Sequence, residues 1–98
     1  MYTIKQTPEF IRWFTTIKDG MTRRRLATRL RKASLGNLGD TKPLGEGLFE
    51  MREFFGPGWR LYYTIRNGVM VIMIGGGDKS SQISDIAKAK ALLRQLED

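Results

Sequence analysis

Arg52, Arg60 and Lys79 are the residues whose types and positions best suit chemistry on a phosphate. They lie on or just beyond three runs of strand-like sequence, residues 48–54, 59–66 and 69–74. A cation held rigidly on a strand can oppose charge that develops in a transition state without help from a metal. At the two-residue period of a strand, Trp59, Leu61, Tyr63 and Ile65 fall on one face and Arg60, Tyr62, Thr64 and Arg66 on the other. The first set reads as core and the second as a basic, aromatic surface. The same alternation in residues 48–54 sets Phe49 and Met51 against Glu50, Arg52 and Phe54, which brings Glu50 and Arg52 beside Arg60. A sheet that grips a polyanion on one open face is the expectation.

The elements that must position these residues are marked by their turns. Gly56-Pro57-Gly58 suits a tight connection, and Asn67-Gly68 is a strong hairpin signal because a type I′ turn needs φ > 0 at both central positions. Residues 69–74 are unbroken apolar sequence and are predicted to form the best buried strand. Gly75-Gly76-Gly77 then lets the backbone approach a ligand or neighbour closely and delivers Asp78 and Lys79 to the end of the sheet, where a helix N-terminus could help hold a phosphate. Upstream, residues 2–6 alternate as a short strand, and Thr7-Pro8-Glu9 opens a helix with apolar Phe10, Phe14 and Ile17. A second helix is expected from about Met21 to Leu35, burying Leu26, Ala27, Leu30 and Ala33 and ending at Gly36-Asn37. Residues 40–47 read as a loop around Pro43, and Ser80 or Ser81 caps a last helix carrying Ile86, Ala89, Leu93 and Leu96. The order predicts an α+β domain: a small, mostly antiparallel sheet with an N-terminal helical hairpin and a C-terminal helix, one sheet face being left for function.

Ninety-eight residues form one domain, residues 1–98, with a net charge of +7 from 17 Lys+Arg and 10 Asp+Glu. Cysteine and histidine are both absent, which excludes disulfides and thiolate metal sites and removes the usual general base near neutral pH. The N-terminus lacks the apolar stretch of a signal peptide and no apolar run is long enough to span a bilayer, so no membrane partner and a cytoplasmic location are expected. Arg23, Arg24, Arg25, Arg29, Arg31 and Lys32 put six cations into ten residues with no acid among them. Such a helix calls for a neutralising anion, either RNA phosphate or acidic side chains. Gly75-Gly76-Gly77-Asp78-Lys79-Ser80 lacks the spacing of a nucleotide-binding loop, which argues against ATP or GTP.

Three blocks resemble the RelE/ParE superfamily of bacterial toxins, in particular its HigB-like addiction-module killer proteins. They are Leu44-Gly45-Glu46-Gly47-Leu48-Phe49-Glu50-Met51-Arg52, Gly56-Pro57-Gly58-Trp59-Arg60-Leu61-Tyr62-Tyr63 and Gly75-Gly76-Gly77-Asp78-Lys79-Ser80-Ser81-Gln82. The resemblance extends over essentially the whole chain and implies a RelE-like fold. It also implies the toxin of a type II toxin–antitoxin system, with a cognate antitoxin of the helix-turn-helix DNA-binding kind as partner. In the nuclease members the activity is metal-independent cleavage of messenger RNA at the ribosome, with no cofactor. Other members inhibit DNA gyrase and cut nothing, and a non-catalytic basic RNA-binding module is a third reading. By the same resemblance Arg60 contacts the scissile phosphate, Arg52 occupies a strand where nucleases place basic catalytic residues, and Lys79 approximates a basic residue beyond the last strand. Many active members carry a C-terminal histidine or tyrosine, but here no tyrosine follows Tyr63. Proton transfer is therefore expected from Glu50, Asp78, Tyr62 or Lys79, with Glu50 as base and Tyr62 as donor or stacking surface. Arg23, Arg24, Arg25, Arg29 and Arg66 make up the expected RNA-binding set.

Overall fold

The computed structural model describes residues 1–97, and Asp98 lies outside the described residues. Strand β1 (Thr3–Gln6) leads through helices α1 (Pro8–Thr15) and α2 (Gly20–Ser34) to β2 (Thr41–Gly45), β3 (Leu48–Arg52), β4 (Arg60–Arg66) and β5 (Met70–Gly77). A short 3₁₀ turn (Lys79–Ser81) then opens α3 (Gln82–Glu97). The five strands lie in the order β1-β5-β4-β3-β2. The sheet is mixed and not the mostly antiparallel one expected, because β1 runs parallel to β5 while the other pairs are antiparallel. The two N-terminal helices pack on the sheet more than on each other, α1 along β5 and α2 against β1, so the expected hairpin is better described as two separate helices.

Local chemistry explains most boundaries. Thr7 caps α1 by accepting from the Phe10 N–H at 3.2 Å, and its hydroxyl donates to the Met73 carbonyl at 2.9 Å, so the cap also ties the helix start to β5. Asn67 and Gly68, at φ 56° and 68°, form the expected tight turn between β4 and β5. Residues 41–45, expected as loop, are instead an edge strand paired with β3, with an irregularity between Pro43 and Gly45. An edge is where a sheet tolerates proline, which has no N–H for the ladder. The glycine run belongs to β5 itself, whereas Val69 stands outside the strand and is exposed. Ala27 likewise faces solvent. Asp78, in place of Ser80 or Ser81, caps the turn before α3 by accepting from the Ser80 N–H at 2.8 Å.

Both faces of the sheet are covered, which overturns the expectation of one open working face. Phe10, Ile17, Leu26, Leu30 and Ala33 pack on Met51, Leu61, Tyr63, Val71 and Met73. On the opposite face Ala89 and Leu93 of α3 pack on Leu48, Tyr62, Ile72 and Ile74. Alternation assigned the two faces of β4 correctly, but α3 turns the presumed surface around Tyr62 and Thr64 into interior.

Arg29 departs most sharply from its expected role. Its side chain is only 9 % exposed, and its guanidinium donates to the carbonyls of Leu38, Asp40 and Arg52 and to Glu53 Oε1. These bonds join α2 to the segment before β2 and to the end of β3. Its donors are thus engaged inside the protein, where an RNA contact was expected. Deleting one partner of a buried hydrogen-bonded charge network costs about 3–5 kcal/mol. Arg29→Ala should lower the unfolding free energy by that amount, read as a lower urea midpoint at unchanged m, and Arg29→Lys should recover only part of it because an ammonium lacks the planar fork. An unfolding free energy within about 1 kcal/mol of wild type would show that the carbonyls find other donors.

Candidate active site

Arg52 and Arg60 are direct partners across β3 and β4, and Arg60 is in turn the partner of Gly77 on β5. The three form one row, with Lys79 two residues further along the chain. Two like charges placed opposite each other repel, and each arginine here has its own carboxylate. Arg52 Nη2 lies 2.9 Å from Asp40 Oδ1, and Arg60 Nε lies 3.7 Å from Glu50 Oε1. The outer pair is partly solvated and adds little stability. The inner pair is not: the Arg60 and Glu50 side chains are 11 % and 1 % exposed.

Tyr62 stands directly opposite Glu50 on the same sheet face and is wholly buried beneath α3. Burial pushes its hydroxyl pKa well up, and the negative charges of Glu50 and Asp85 push it further, so the phenol stays protonated. Glu50 Oε1, Arg60 Nε and the Tyr62 hydroxyl are buried without a hydrogen-bond partner among the described residues. Arg60 Nη1 donates to the Gly58 carbonyl at 3.1 Å. A Cβ added at Gly58 would sit 3.4 Å from both Arg60 Nη1 and Lys79 Cβ, which places the exposed Lys79 stem beside the Arg60 guanidinium. The Lys79 N–H reaches the Pro57 carbonyl at 3.4 Å, joining the last strand's exit to the β3–β4 connection.

The glycines of β5 admit neighbours from the protein itself. A Cβ at Gly76 would overlap the Trp13 ring, and one at Gly77 would overlap Asp85 Oδ2. Asp85 in turn accepts from the Ser81 hydroxyl at 2.5 Å. The Asp78 carboxylate already fills the cap ahead of α3, and hydrogen bonds from Ser80 hold its pKa below the usual carboxylate range. A second anion is therefore disfavoured at the turn where a phosphate was expected.

The structure thus gathers Glu50, Arg52, Arg60, Tyr62 and Lys79 at one end of the sheet, but in two layers. Lys79 is exposed and Arg52 partly so, the Arg60 side chain lies just beneath them at 11 % exposure, and Glu50 and Tyr62 are buried under α3. Asp40 and Asp85 escaped sequence reading. Asp40 sat in an expected loop, and only the four-residue spacing from Ser81 could have pointed to Asp85. Arg66, expected in the RNA-binding set, donates to the Leu96 carbonyl at 2.7 Å and ties β4 to the end of α3. Arg23 is drawn to the Ile17 carbonyl. Arg24 and Arg25 are exposed on α2, where with Lys32 they line a groove of about 380 Å³ floored by Arg29 and Glu53. The Arg25 guanidinium lies 3.8 Å over the Phe55 ring.

This architecture is the RelE toxin fold. A chain of the intact E. coli RelBE toxin–antitoxin complex superposes with a TM-score of 0.66 at 17% identity, over 80% of this chain and 96% of that one. The isolated E. coli RelE toxin gives 0.66 at 18% identity, over 90% of this chain and 97% of that one. A double arginine-to-alanine variant of RelE in the free state gives 0.66 at 17% identity, over 89% and 95%. No protein-family model matches the chain. An uncharacterized protein of Haemophilus influenzae is 40% identical over 93 residues, 95% of this chain and 94% of the relative. The chain belongs to one family with that protein.

Folding raises the hydroxyl pKa of Tyr62 and, through burial, of Tyr63 above the ordinary value of 10.0. The native state then keeps protons that the unfolded chain releases above about pH 10, so this contribution is complete below that pH and is lost as pH climbs toward the raised folded values. Tyr62→Phe should flatten the fall in urea-measured stability between about pH 9 and pH 11, with Tyr63 supplying what remains. At neutral pH the variant should lose little, since the hydroxyl gives up no hydrogen bond among the described residues. Identical alkaline slopes in variant and wild type would rule out protection of this phenol.

Proposed function

We propose that this protein is the toxin of a type II toxin–antitoxin pair, of the HigB-like kind, and cleaves messenger RNA at the ribosome without a metal. The observation that carries this reading is the row Arg52, Arg60 and Gly77 leading to Lys79 on a RelE fold. The 2′-hydroxyl gives its proton to solvent water as its oxygen attacks the adjacent phosphorus, the P–O5′ bond breaks to leave a 2′,3′-cyclic phosphate, and charge grows on the phosphorane-like oxygens. Arg60 opposes that charge, because its guanidinium is held in place by Glu50 and the Gly58 carbonyl before any ligand arrives. Glu50 is thus a positioning residue in this reading and not the general base. Lys79 is the one exposed member of the four proton-transfer candidates and protonates the leaving oxygen. Arg52 assists from the neighbouring strand, and the exposed α2 arginines Arg24 and Arg25 dock RNA.

RelE is found in complex with its antitoxin in the RelBE structure. By analogy a cognate antitoxin, a helix-turn-helix DNA-binding protein, neutralises this chain in the cytoplasm. Among the described residues no helix is long and apolar enough to cross a membrane.

Arg60→Ala would strand the buried Glu50 charge and confound loss of function with loss of fold. The informative variants are Arg60→Lys, which keeps a cation against Glu50, and the double change Glu50→Gln with Arg60→Gln, which removes both charges. Both should fold by circular dichroism yet lose growth arrest on induction, with cleavage slowed about a hundredfold or more. Lys79→Gln should slow cleavage by about a hundredfold to ten-thousandfold with little change in stability. A folded Arg60→Lys protein that cleaves messages at the wild-type rate would remove Arg60 from the chemistry. Growth arrest by wild type with intact messages would replace the nuclease with a gyrase inhibitor.

A further inference from the structure

We propose that Phe54 is a stacking platform for an unpaired nucleobase, and that it leads the RNA flanking the Arg60 phosphate onto the α2 groove. The inference rests on reading the Arg60 end of the sheet as an RNA site. It starts from an energetic oddity: Phe54 is 76 % exposed, a whole aromatic side chain left in water. Burying such a ring is normally worth about 1.5–3 kcal/mol, which is what a partner covering it would gain. The ring is not on a loose loop. On one side the Glu53 N–H donates to the Trp59 carbonyl at 2.9 Å, and the Glu53 carboxylate is held by Arg29. On the other, Phe55 is clamped beneath Arg25, and its carbonyl accepts from the Gly58 N–H at 3.2 Å. Phe54 is therefore presented outward from a fixed base.

Its surroundings choose the ligand. The Arg52 guanidinium lies 6.0 Å from the Phe54 ring, and Arg52 is the cross-strand partner of Arg60. Past Glu53 the chain borders the groove lined by Arg24, Arg25 and Lys32, whose one lining acid, Glu53, is already paired with Arg29. From the sheet end to α2 the surface therefore alternates cation, ring and cation. A single strand of RNA has the matching pattern of a charged backbone with flat bases free to stack, and base-on-aromatic stacking is sequence-tolerant. The Arg25 guanidinium lies 3.8 Å over the Phe55 ring, a cation–π contact that uses none of its N–H donors on a carboxylate and so leaves them for a phosphate.

The test uses the full-length protein and a twelve-nucleotide single-stranded RNA in which every 2′-hydroxyl is methylated, so that it binds without being cut. Phe54→Ala and Phe54→Leu should each weaken binding about tenfold or more, and Phe54→Trp should bind at least as tightly as wild type. Changing Arg24 and Lys32 to Gln should reduce the salt slope by about 0.7 for each phosphate that is no longer neutralised. All these side chains lie at the surface, so folding should be unaffected. If Phe54→Leu binds as wild type does, the ring is an apolar protein contact and the proposal fails; it fails equally if wild type does not bind the oligonucleotide. The two readings separate cleanly. Wild type that binds through Phe54 but cleaves no message retains the track and loses the nuclease, whereas message cleavage with an unchanged KM in Phe54→Ala loses the track and retains the nuclease.

Discussion

The Arg29 guanidinium is the interaction on which the working end of the molecule depends. It reaches from α2 to the Leu38, Asp40 and Arg52 carbonyls and to the Glu53 carboxylate. Those acceptors belong to the backbone that places Asp40 against Arg52 and sets the course of Glu53 and Phe54. A buried guanidinium with four directed acceptors leaves these segments little freedom; its planar fork supplies donors to the Leu38 carbonyl and a second donor to the Asp40 carbonyl, which also accepts from the Arg52 N–H at 3.0 Å. Leu38, Gly39 and Asp40 crowd close around it: a Cβ at Gly39, where φ is +66°, would come within 2.9 Å of the Arg29 side chain.

On this frame the charges are sorted by depth. Arg52 and Arg60 face each other across a ladder, and the repulsion between them is relieved by Asp40 near solvent and by Glu50 in the interior. The buried pair is a costly arrangement, since both ions lose hydration. What it provides is a guanidinium whose orientation is set before a ligand arrives, which is the condition for electrostatic stabilisation without reorganisation. α3 maintains the condition by closing over Tyr62 and Glu50, with Arg66 bonded to its C-terminal end and with Lys90 and Arg94 near Glu46 of the β2–β3 turn. Gly77 lets the Asp85 carboxylate approach the strand, and a side chain there would push α3 away.

The sequence by itself determined the local events. Thr7-Pro8, Asn67-Gly68 and the alternation in β3 and β4 could be read because caps, φ > 0 positions and strand periodicity are properties of a few neighbouring residues. The same alternation brought Glu50, Arg52, Arg60 and Tyr62 together correctly. It could not show whether a face met water or another layer, because a period of two records only sidedness; α3 decided that by packing across the strands, and so moved Glu50 and Tyr62 from surface to interior. Pro43 concealed β2, since a strand at an edge can carry a residue that a central strand rejects. Arg29 looked like its five cationic neighbours on the same helix, and only the folded chain, by bringing three carbonyls and a carboxylate to its guanidinium, made it a buried structural residue while Arg24 and Arg25 stayed in solvent.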